Sequence, residues 1–377
     1  MGYLLQTILM IIFIELLLVG TLHISKKLDH LLTGLLSIIF LLIITFRPFS
    51  VPDTVSYYNF FNQIRYYEFT FNYGRTYLGF ENGFCNLSKL IFLLYPNFRF
   101  FLFFIGSTSF LLNFSALLRI SNTLFRKKCD AWFPLLALYV PYFGLLYSGI
   151  VLRAGLALGF CLYSFYYLQE KKILKSTLLF GFGLWFHNSA FIFIIVLLLV
   201  YIPIKFSNKQ IYKLSIVILV LYLLREFDAF SNSILSLFDY LTKNIVFLNF
   251  MNHYVDDAIN TTFRWAIVFY LLLFVFISYI YSQSKLNSII QYVNKLLPLM
   301  LIIALIGGFP TILRGVDFFV ILLYAPLFQF LCGNCRKGVV VKRIVIFSSD
   351  DRLFLIIVNI ILSIIFYLLF LRTASFI

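Results

Sequence analysis

Long, continuous apolar runs divide this chain into its parts. Most runs are about 17–22 residues long, the length a helix needs to cross roughly 30 Å of hydrocarbon, whereas a membrane β-barrel would show alternating segments of about ten residues. Hydrophobic residues make up 62% of the chain and charged residues only 12%, while a soluble domain is about half apolar. The sequence therefore predicts an all-α integral membrane protein, a single polytopic domain over residues 1–377.

The runs predict about twelve transmembrane helices. Two of them, 174–187 and 214–224, are short for a crossing, and segments 82–95 and 229–250 are apolar enough to dip into the bilayer without spanning it. The predicted spans are 3–22, 31–46, 98–120, 131–147, 150–169, 174–187, 189–204, 214–224, 264–282, 296–312, 316–332 and 353–371.

Lysine and arginine are distributed unequally between alternate gaps. Six gaps and the helix ends facing them carry 14 Lys and 5 Arg, whereas the opposite side carries 9 Arg and only 2 Lys. The positive-inside rule places the Lys-rich side in the cytoplasm. It places the larger loops 47–97 and 225–263 and both termini on the other side. The cytoplasmic gaps are 23–30, 121–130, 170–173, 205–213, 283–295 and the main loop, 333–352.

Topology accounts for most of the net charge of +15, so we expect membrane lipid, and no nucleic acid, as a partner. The five cysteines do not form a disulfide framework. Cys332 and Cys335 form a lone CxxC without the second ligand pair that a zinc site needs. No GxxxxGK[ST], HExxH or DxD motif occurs. The prediction is a metal-independent chemistry without a cofactor, in which any donor is linked to a lipid.

Arg153 lies in the first turn of an apolar helix, on the side opposite the Lys-rich gaps. A charge there is costly unless it snorkels to the interface or finds a partner. Snorkelling is one interpretation. The other is that Arg153 faces the bundle, because Gly155 and Gly159 form a GxxxG step that lets another helix approach closely.

His187 is the histidine most deeply embedded in apolar sequence. A neutral imidazole accepts a proton near physiological pH, so an intramembrane histidine is a candidate for acid–base chemistry. The alternative is a structural histidine at a turn between helices, with Asn188 and Ser189 as N-caps.

Three acids and a further arginine are also candidates. Arg314 follows a stretch weakened by glycines and a proline, and Asp317 lies three residues beyond it, either as an i,i+3 partner or as a group that orients Arg314 toward an anion. Asp53 is either the N-cap of a helix or a carboxylate at the mouth of a site. Glu81 is either an ordinary exposed loop acid or a second such carboxylate.

Loop 47–97 is rich in aromatic residues, among them Tyr57. Rings of this kind are favoured at the membrane interface, and they also form surfaces on which sugars stack. A position at the membrane interface is the preferred interpretation for most of these rings. The aromatic residues of the loop include Tyr57, Tyr58, Phe60, Phe61, Tyr66, Tyr67, Tyr73 and Tyr77.

Five short motifs follow one another along the chain. They are Asp53-Thr54-Val55-Ser56-Tyr57-Tyr58, Glu81-Asn82-Gly83-Phe84, Arg153 with Leu156-Ala157, His187-Asn188-Ser189-Ala190, and Arg314 with Phe318-Phe319. In this order, over roughly residues 45–330, the chain resembles the EpsG/Wzy family of bacterial polysaccharide polymerases. The family more often has Tyr where this chain has Phe318-Phe319.

The resemblance implies a GT-C-like, lipid-dependent glycosyltransferase bundle in the bacterial inner membrane, with its active site facing the periplasm. It would polymerise O-antigen or a related surface polysaccharide by transferring a growing undecaprenyl-pyrophosphate-linked glycan onto a lipid-linked repeat unit. A chain-length regulator protein is a possible partner of such an enzyme.

On this interpretation the charged candidates receive separate roles. Arg153 and Arg314 would bind the pyrophosphate, and His187 would be a general base or a further diphosphate donor. Asp53, Tyr57 and Glu81 would contact the sugars, and Asp317 would orient Arg314.

Other functions remain open at this stage. An O-antigen ligase or a membrane O-acyltransferase would be a different enzyme with similar needs. A flippase for lipid-linked oligosaccharides would be a transporter, although such proteins commonly show repeated halves, and none is visible here. A non-catalytic scaffold of a polysaccharide assembly complex is a further alternative.

Overall fold

The computed structural model describes residues 26–71, 76–125, 132–201, 206–224, 265–282, 287–306, 313–327 and 364. Within them the chain is helical apart from the connecting turns and one hairpin, whose two strands have two residues each. The predicted span 3–22, nearly all of 353–371, the loops 225–263 and 333–352, and the CxxC at Cys332 and Cys335 lie outside the described residues.

The chain forms two compact units, Met1–Phe191 with Leu327–Ile377, and Ile192–Pro326. In the first unit the described elements are α1 (Lys26–Thr45), α2 (Thr54–Gln63), a 3-10 turn (Ile64–Tyr66), β1 (Thr76–Tyr77), β2 (Phe80–Glu81), α3 (Asn82–Leu94), α4 (Phe98–Phe125), α5 (Phe133–Tyr139), a π-helix (Val140–Ser148), α6 (Leu152–Gln169) and α7 (Ile173–Phe186).

The second unit follows a 3-10 helix (Asn188–Phe193) and contains α8 (Ile194–Tyr201), α9 (Asn208–Leu224), α10 (Trp265–Ser282), α11 (Asn287–Ile306), α12 (Leu313–Val320) and a 3-10 turn (Ile321–Leu323). Two buried tyrosines tie its helices to the segment after α12. Tyr292 donates a hydrogen bond to the carbonyl of Leu322, and Tyr281 donates one to the carbonyl of Pro326, both at 2.8 Å.

Helix α1 has one face packed and one face exposed, both apolar. Leu36, Phe40 and Ile44 are buried at helical spacing, whereas Leu31, Leu35, Ile38 and Leu42 form an exposed stripe. A stripe of large apolar side chains would be unfavourable in water, and it is what a helix presents to lipid.

Two described helices are long and apolar enough to cross a membrane, Lys26–Thr45 and Phe98–Thr123, and seven shorter apolar helices accompany them. The number of spans therefore stays a prediction. Several predicted spans contain a change of helix type, which a continuous apolar sequence does not reveal. The run 131–147 is α5 followed by the π-helix, and the run 189–204 begins as a 3-10 helix.

One predicted cytoplasmic gap is partly helical. Helix α11 begins at Asn287, whereas the hydropathy predicted a cytoplasmic gap over 283–295. Polar side chains at Gln291, Asn294 and Lys295 lowered the hydropathy of the first turns without interrupting the helix.

Helix α6 packs closely against α4 through the two glycines of the GxxxG step, as the sequence predicted. A Cβ on Gly155 would collide with the Tyr147 carbonyl and the Ser109 side chain, and a Cβ on Gly159 would collide with Leu112. Asn113 of α4 donates a hydrogen bond to the Gly155 carbonyl at 2.9 Å. These contacts fix the position of the N-terminal half of α6.

Helices α6 and α7 form a hairpin joined by a short turn at Glu170–Lys172. Ser164 on α6 donates a hydrogen bond to the Ser176 carbonyl on α7 at 2.8 Å, next to that turn. Helix α6 has 18 residues and so is roughly 27 Å long. The hairpin therefore places the start of α6 and the end of α7 together, one helix length away from Lys171 and Lys172.

Loop 47–97 is not a simple interfacial loop, because it contains two helices and the hairpin. Four of its eight predicted interfacial rings pack in its interior, and the ring centroids of Phe60 and Phe80 are only 4.1 Å apart. Tyr58 and Tyr66 are exposed. The four buried rings are Tyr57, Phe60, Phe61 and Tyr67.

Candidate functional site

A buried carboxylate joins two candidate residues that lie far away in the sequence. The Oε2 atom of Glu81 accepts a hydrogen bond from Nη1 of Arg153 at 2.7 Å. Its Oε1 atom lies 2.6 Å from Nδ1 of His187. These three residues, which we call the Glu81 cluster, come from the end of β2, the first turn of α6 and the end of α7.

The hairpin presents Glu81 to Arg153. Leu78 and Gly79 both have positive φ angles, 53° and 77°, which turn the chain tightly between β1 and β2. Arg153 contacts this turn at two further points. Its Nη1 also donates a hydrogen bond to the Gly79 carbonyl at 2.9 Å, and its guanidinium carbon lies 4.5 Å from the centre of the Phe80 ring.

The end of α7 presents His187 to the same carboxylate. His187 has an extended backbone, and its amide donates to the Gly183 carbonyl at 3.0 Å, so the helix ends there. The backbone amide of Asn188 also points to Oε1 of Glu81, at 3.4 Å. Gly83, at the start of α3, allows this approach, because a Cβ there would lie 2.5 Å from the Trp185 carbonyl oxygen.

Glu81 is held as a carboxylate. Burial alone would raise its pKa, but the hydrogen bond from His187 and the positive charges of His187 and Arg153 outweigh burial and lower the pKa to about 2. An ionised carboxylate only accepts hydrogen bonds, so Nδ1 of His187 is the donor in this pair. When the imidazole is neutral, its lone pair is therefore on Nε2.

The structure brings together three of the predicted site residues, Glu81, Arg153 and His187. Glu81 is buried, so its interpretation as an exposed loop acid is wrong. Arg153 does not simply snorkel, because its guanidinium binds Glu81 and the hairpin. His187 does end a helix, as the structural alternative expected, and it also binds Glu81. The catalytic role of these residues stays a prediction.

Asp53 immediately precedes α2, and Tyr57 lies in the first turn of that helix. Tyr57 is buried, and burial raises the pKa of its hydroxyl, while the charges of Arg153 and Arg47 act in the opposite direction. Asp53 precedes α2 with a left-handed backbone, φ 62°, and its side chain makes no capping hydrogen bond. Asp53 thus occupies the N-cap position of α2, as one interpretation predicted, but without the side-chain hydrogen bond of a cap.

Arg314 and Asp317 belong to the second unit, where both lie on α12 and Asp317 is buried. The Glu81 cluster belongs to the first unit. A role for Arg314 as a pyrophosphate ligand, and for Asp317 in orienting it, stays a prediction.

Arg47 was not among the site residues predicted from the sequence, yet it is buried and lies near Tyr57. The sequence could have indicated Arg47 as a candidate. This arginine directly follows an apolar span on the Lys-poor side, where the positive-inside rule does not require a positive charge. Among the described residues, no group of three or more His, Cys, Asp or Glu is arranged to hold a metal ion.

Comparison with known proteins identifies the family. The sequence matches the EpsG family over residues 30–376. The chain belongs to the EpsG family. This membership and the apolar helices indicate a membrane protein with a polymerase-like role in polysaccharide synthesis. No curated protein sequence and no solved structure matches the chain.

Proposed function

We propose that this EpsG-family protein is a surface-polysaccharide polymerase of the O-antigen type. It transfers a growing glycan from undecaprenyl pyrophosphate onto a lipid-linked repeat unit, without a metal ion or cofactor. The observation that carries this proposal is the Glu81 cluster, in which one carboxylate orients both a guanidinium and an imidazole.

Arg153 is suited to stabilise the leaving group. When the bond to pyrophosphate breaks, negative charge develops on its oxygens, and a preorganised guanidinium offers planar, permanently charged donors to them. The described hydrogen bonds of Arg153 to Gly79 and Glu81 both use Nη1. Arg153 also interacts with the side chain of Tyr57, and the N–H groups that these contacts do not use would bind a phosphate, while Glu81 fixes the orientation of the fork.

His187 is suited to act as the general base. Its Nδ1 donates a hydrogen bond to Glu81, so the neutral ring presents Nε2 as a proton acceptor. The two ring nitrogens have the same roles in a catalytic histidine that is oriented by a carboxylate. The acceptor hydroxyl passes its proton to Nε2 as its oxygen bonds to the anomeric carbon. The bond from that carbon to the pyrophosphate oxygen breaks, and its electron pair leaves with the pyrophosphate. The alternative role of His187 is to donate a hydrogen bond to the pyrophosphate itself.

The charge distribution supports a periplasmic site in the inner membrane. The cluster lies at the end of the α6–α7 hairpin that is opposite Lys171 and Lys172. If the Lys-rich turn faces the cytoplasm, as the positive-inside rule predicts, the Glu81 cluster faces the other compartment. Lipid-linked repeat units and a chain-length regulator protein would be the partners there.

The test is complementation of a polymerase-null strain, with the surface glycan displayed as a ladder on a gel. A polymerase restores long chains where the null strain carries single repeat units on the lipid A core. A ligase would not restore the ladder, and a strain that lacks its ligase would carry no repeat unit on the lipid A core. An acyltransferase would change acyl groups without changing chain length, a flippase would show flux in vesicles, and a scaffold would tolerate His187→Ala. Any of these results in place of restored long chains would reject the proposal.

A further inference from the structure

Arg47 is a buried guanidinium that has no hydrogen-bond partner among the described residues. Its side chain lies just beyond the end of α1 and the residue is only 3% exposed. None of its three side-chain nitrogen atoms, Nε, Nη1 and Nη2, is hydrogen bonded within the part of the chain that the structure describes. Arg99 and Arg153 differ in this respect, because each donates hydrogen bonds to backbone carbonyls, and Arg153 also binds Glu81.

Such a group is unfavourable in the protein as it stands. Burying a charge without a partner is strongly unfavourable, because the charge loses its hydration and gains no compensating contact. Burial lowers the pKa of Arg47 to about 10, so the guanidinium is still charged at neutral pH. The charge therefore needs compensation that the described residues do not provide.

The described charged groups around Arg47 are one acid, Asp53, and one base, Arg99, so the three residues together carry a net positive charge. The carbon atom of its guanidinium lies 5.9 Å from the centre of the Tyr57 ring, and Arg99 donates a hydrogen bond to the backbone carbonyl of Arg47 at 2.7 Å. Asp53 is close enough to act on Arg47 electrostatically, but no described ion pair joins them. The local excess of positive charge favours an anion.

Tyr57 connects Arg47 to the Glu81 cluster. The charges of both Arg47 and Arg153 act on the Tyr57 hydroxyl, so the two guanidiniums lie on the same small region of the first unit. Arg153 has its charge compensated by Glu81, whereas no described residue forms an ion pair with the side chain of Arg47. A ligand with more than one negative charge would therefore gain most from Arg47.

We propose that Arg47 is a binding residue for the diphosphate group of the lipid-linked substrate, so that this group, when bound, compensates the buried guanidinium. The inference rests on the proposed function for the identity of the lipid, and on the unpaired, buried fork for the chemistry. A guanidinium matches the geometry of phosphate oxygens and pairs with them through two parallel hydrogen bonds. Arg47 thus contributes binding rather than fold stability.

The experiment compares thermal unfolding of the purified full-length protein with and without phosphate-bearing probes. The probes are inorganic pyrophosphate, undecaprenyl diphosphate in detergent, and nanodiscs of phosphatidylglycerol compared with phosphatidylcholine. The variants are Arg47→Met, which keeps the length and removes the charge, and Arg47→Lys, which keeps the charge and removes the fork. Arg65→Met is the matched control, because Arg65 is exposed, in the same loop and stacked on Tyr66.

We expect undecaprenyl diphosphate and pyrophosphate to raise the Tm of wild type and Arg65→Met. Their apparent affinity falls roughly 10–100-fold in Arg47→Met, the effect of losing hydrogen bonds to a charged group, and by less in Arg47→Lys. Without ligand, Arg47→Met unfolds at the same temperature as wild type or higher, because an uncompensated charge has been removed. A residue that only supports the fold would give the opposite result in the ligand-free protein.

Four outcomes overturn the proposal. The first two are equal stabilisation of wild type and Arg47→Met by the diphosphates, and a clearly lower Tm of Arg47→Met than of wild type without ligand. The third is stabilisation of wild type by pyrophosphate but not by undecaprenyl diphosphate. The fourth is an Arg47-dependent stabilisation by phosphatidylglycerol equal to that by the diphosphates. Failure of the proposed function is distinguishable, because a protein that binds the diphosphate through Arg47 but forms no glycan ladder retains this inference and loses the polymerase.

Discussion

Oε1 of Glu81 lies 2.6 Å from Nδ1 of His187, although 106 positions separate the two residues in the sequence. Because the other carboxylate oxygen binds Arg153, the side chain of Glu81 sets the orientation of both. We therefore propose that Glu81 positions these two groups, while the contact of Glu81 with a sugar stays a prediction.

Replacing Glu81 by Gln should impair polymerisation more than it impairs folding. The amide keeps the shape but loses the charge, so Arg153 and His187 lose the acceptor that orients them. Loss of such an orienting partner typically costs 10–100-fold in activity. The measurement is the rate of chain extension by membranes with matched protein levels. Glu68→Gln, a change at an exposed acid of the same loop, is the control, and equal rates in both variants would contradict the account.

The low pKa of Glu81 predicts how the stability of the protein depends on pH. Its folded pKa of about 2 lies below the ordinary value of 4.5. The stabilisation that Glu81 provides is thus complete above about pH 4.5 and is lost as the pH falls through about 2. Arg153 does not titrate in this range. The Tm advantage of wild type over Glu81→Gln should therefore be constant above about pH 4.5 and decline steadily as the pH falls from there toward about 2, whereas a difference that does not change over this range would show a carboxyl with an unperturbed pKa.

Replacing Gly83 by Ala should push β2 and α3 away from the end of α7. The added Cβ would lie 2.5 Å from the Trp185 carbonyl oxygen, and overpacking of this kind costs about 1–3 kcal/mol. We expect a lower Tm together with lower activity, since Glu81 moves away from His187. Gly181→Ala on α7 is the matched control, because nothing lies within 4 Å of its Cβ, and it should be neutral or stabilising.

Several of these features could be predicted from the sequence, because they depend on local patterns. Helix α6 and its glycine contacts follow from apolar periodicity and the GxxxG spacing, and Arg153 and His187 were recognisable as ionisable groups in apolar surroundings. The contacts of Glu81 with Arg153 and His187 are both long-range. They depend on the tight turn at Gly79 and on the close approach of α3 to α7 at Gly83. Local sequence does not encode which residues such contacts join.

The π-helix at Val140–Ser148 and the unpaired state of Arg47 were not predictable either. The hydropathy of a residue is the same in a π-helix and an α-helix, so the apolar run concealed the change. Whether a buried arginine has a partner depends on side chains from other segments. For Arg47 these are Asp53, just before α2, and Tyr57, in α2.

Replacing Arg153 by Lys should retain folding and impair activity. An ammonium keeps the positive charge beside Glu81, but it cannot hold the hairpin and also present a planar fork to a phosphate. We expect a rate at least about tenfold lower, in line with the loss of part of a preorganised charge-stabilising donor. Arg119→Lys, at an arginine stacked on Tyr163 and Tyr166 of the α4–α6 surface, is the control, and it should extend chains like wild type.

The most direct test of the central claim is chain extension by the purified protein, supplied with lipid-linked repeat units, in wild type and His187→Ala. The account predicts that wild type builds long chains, whereas the folded variant binds undecaprenyl diphosphate and leaves single repeat units. Removing a catalytic donor or base of this kind typically costs about 10²–10³ in rate. Chains of wild-type length from His187→Ala, at the same enzyme concentration and time, would contradict the role assigned to the Glu81 cluster.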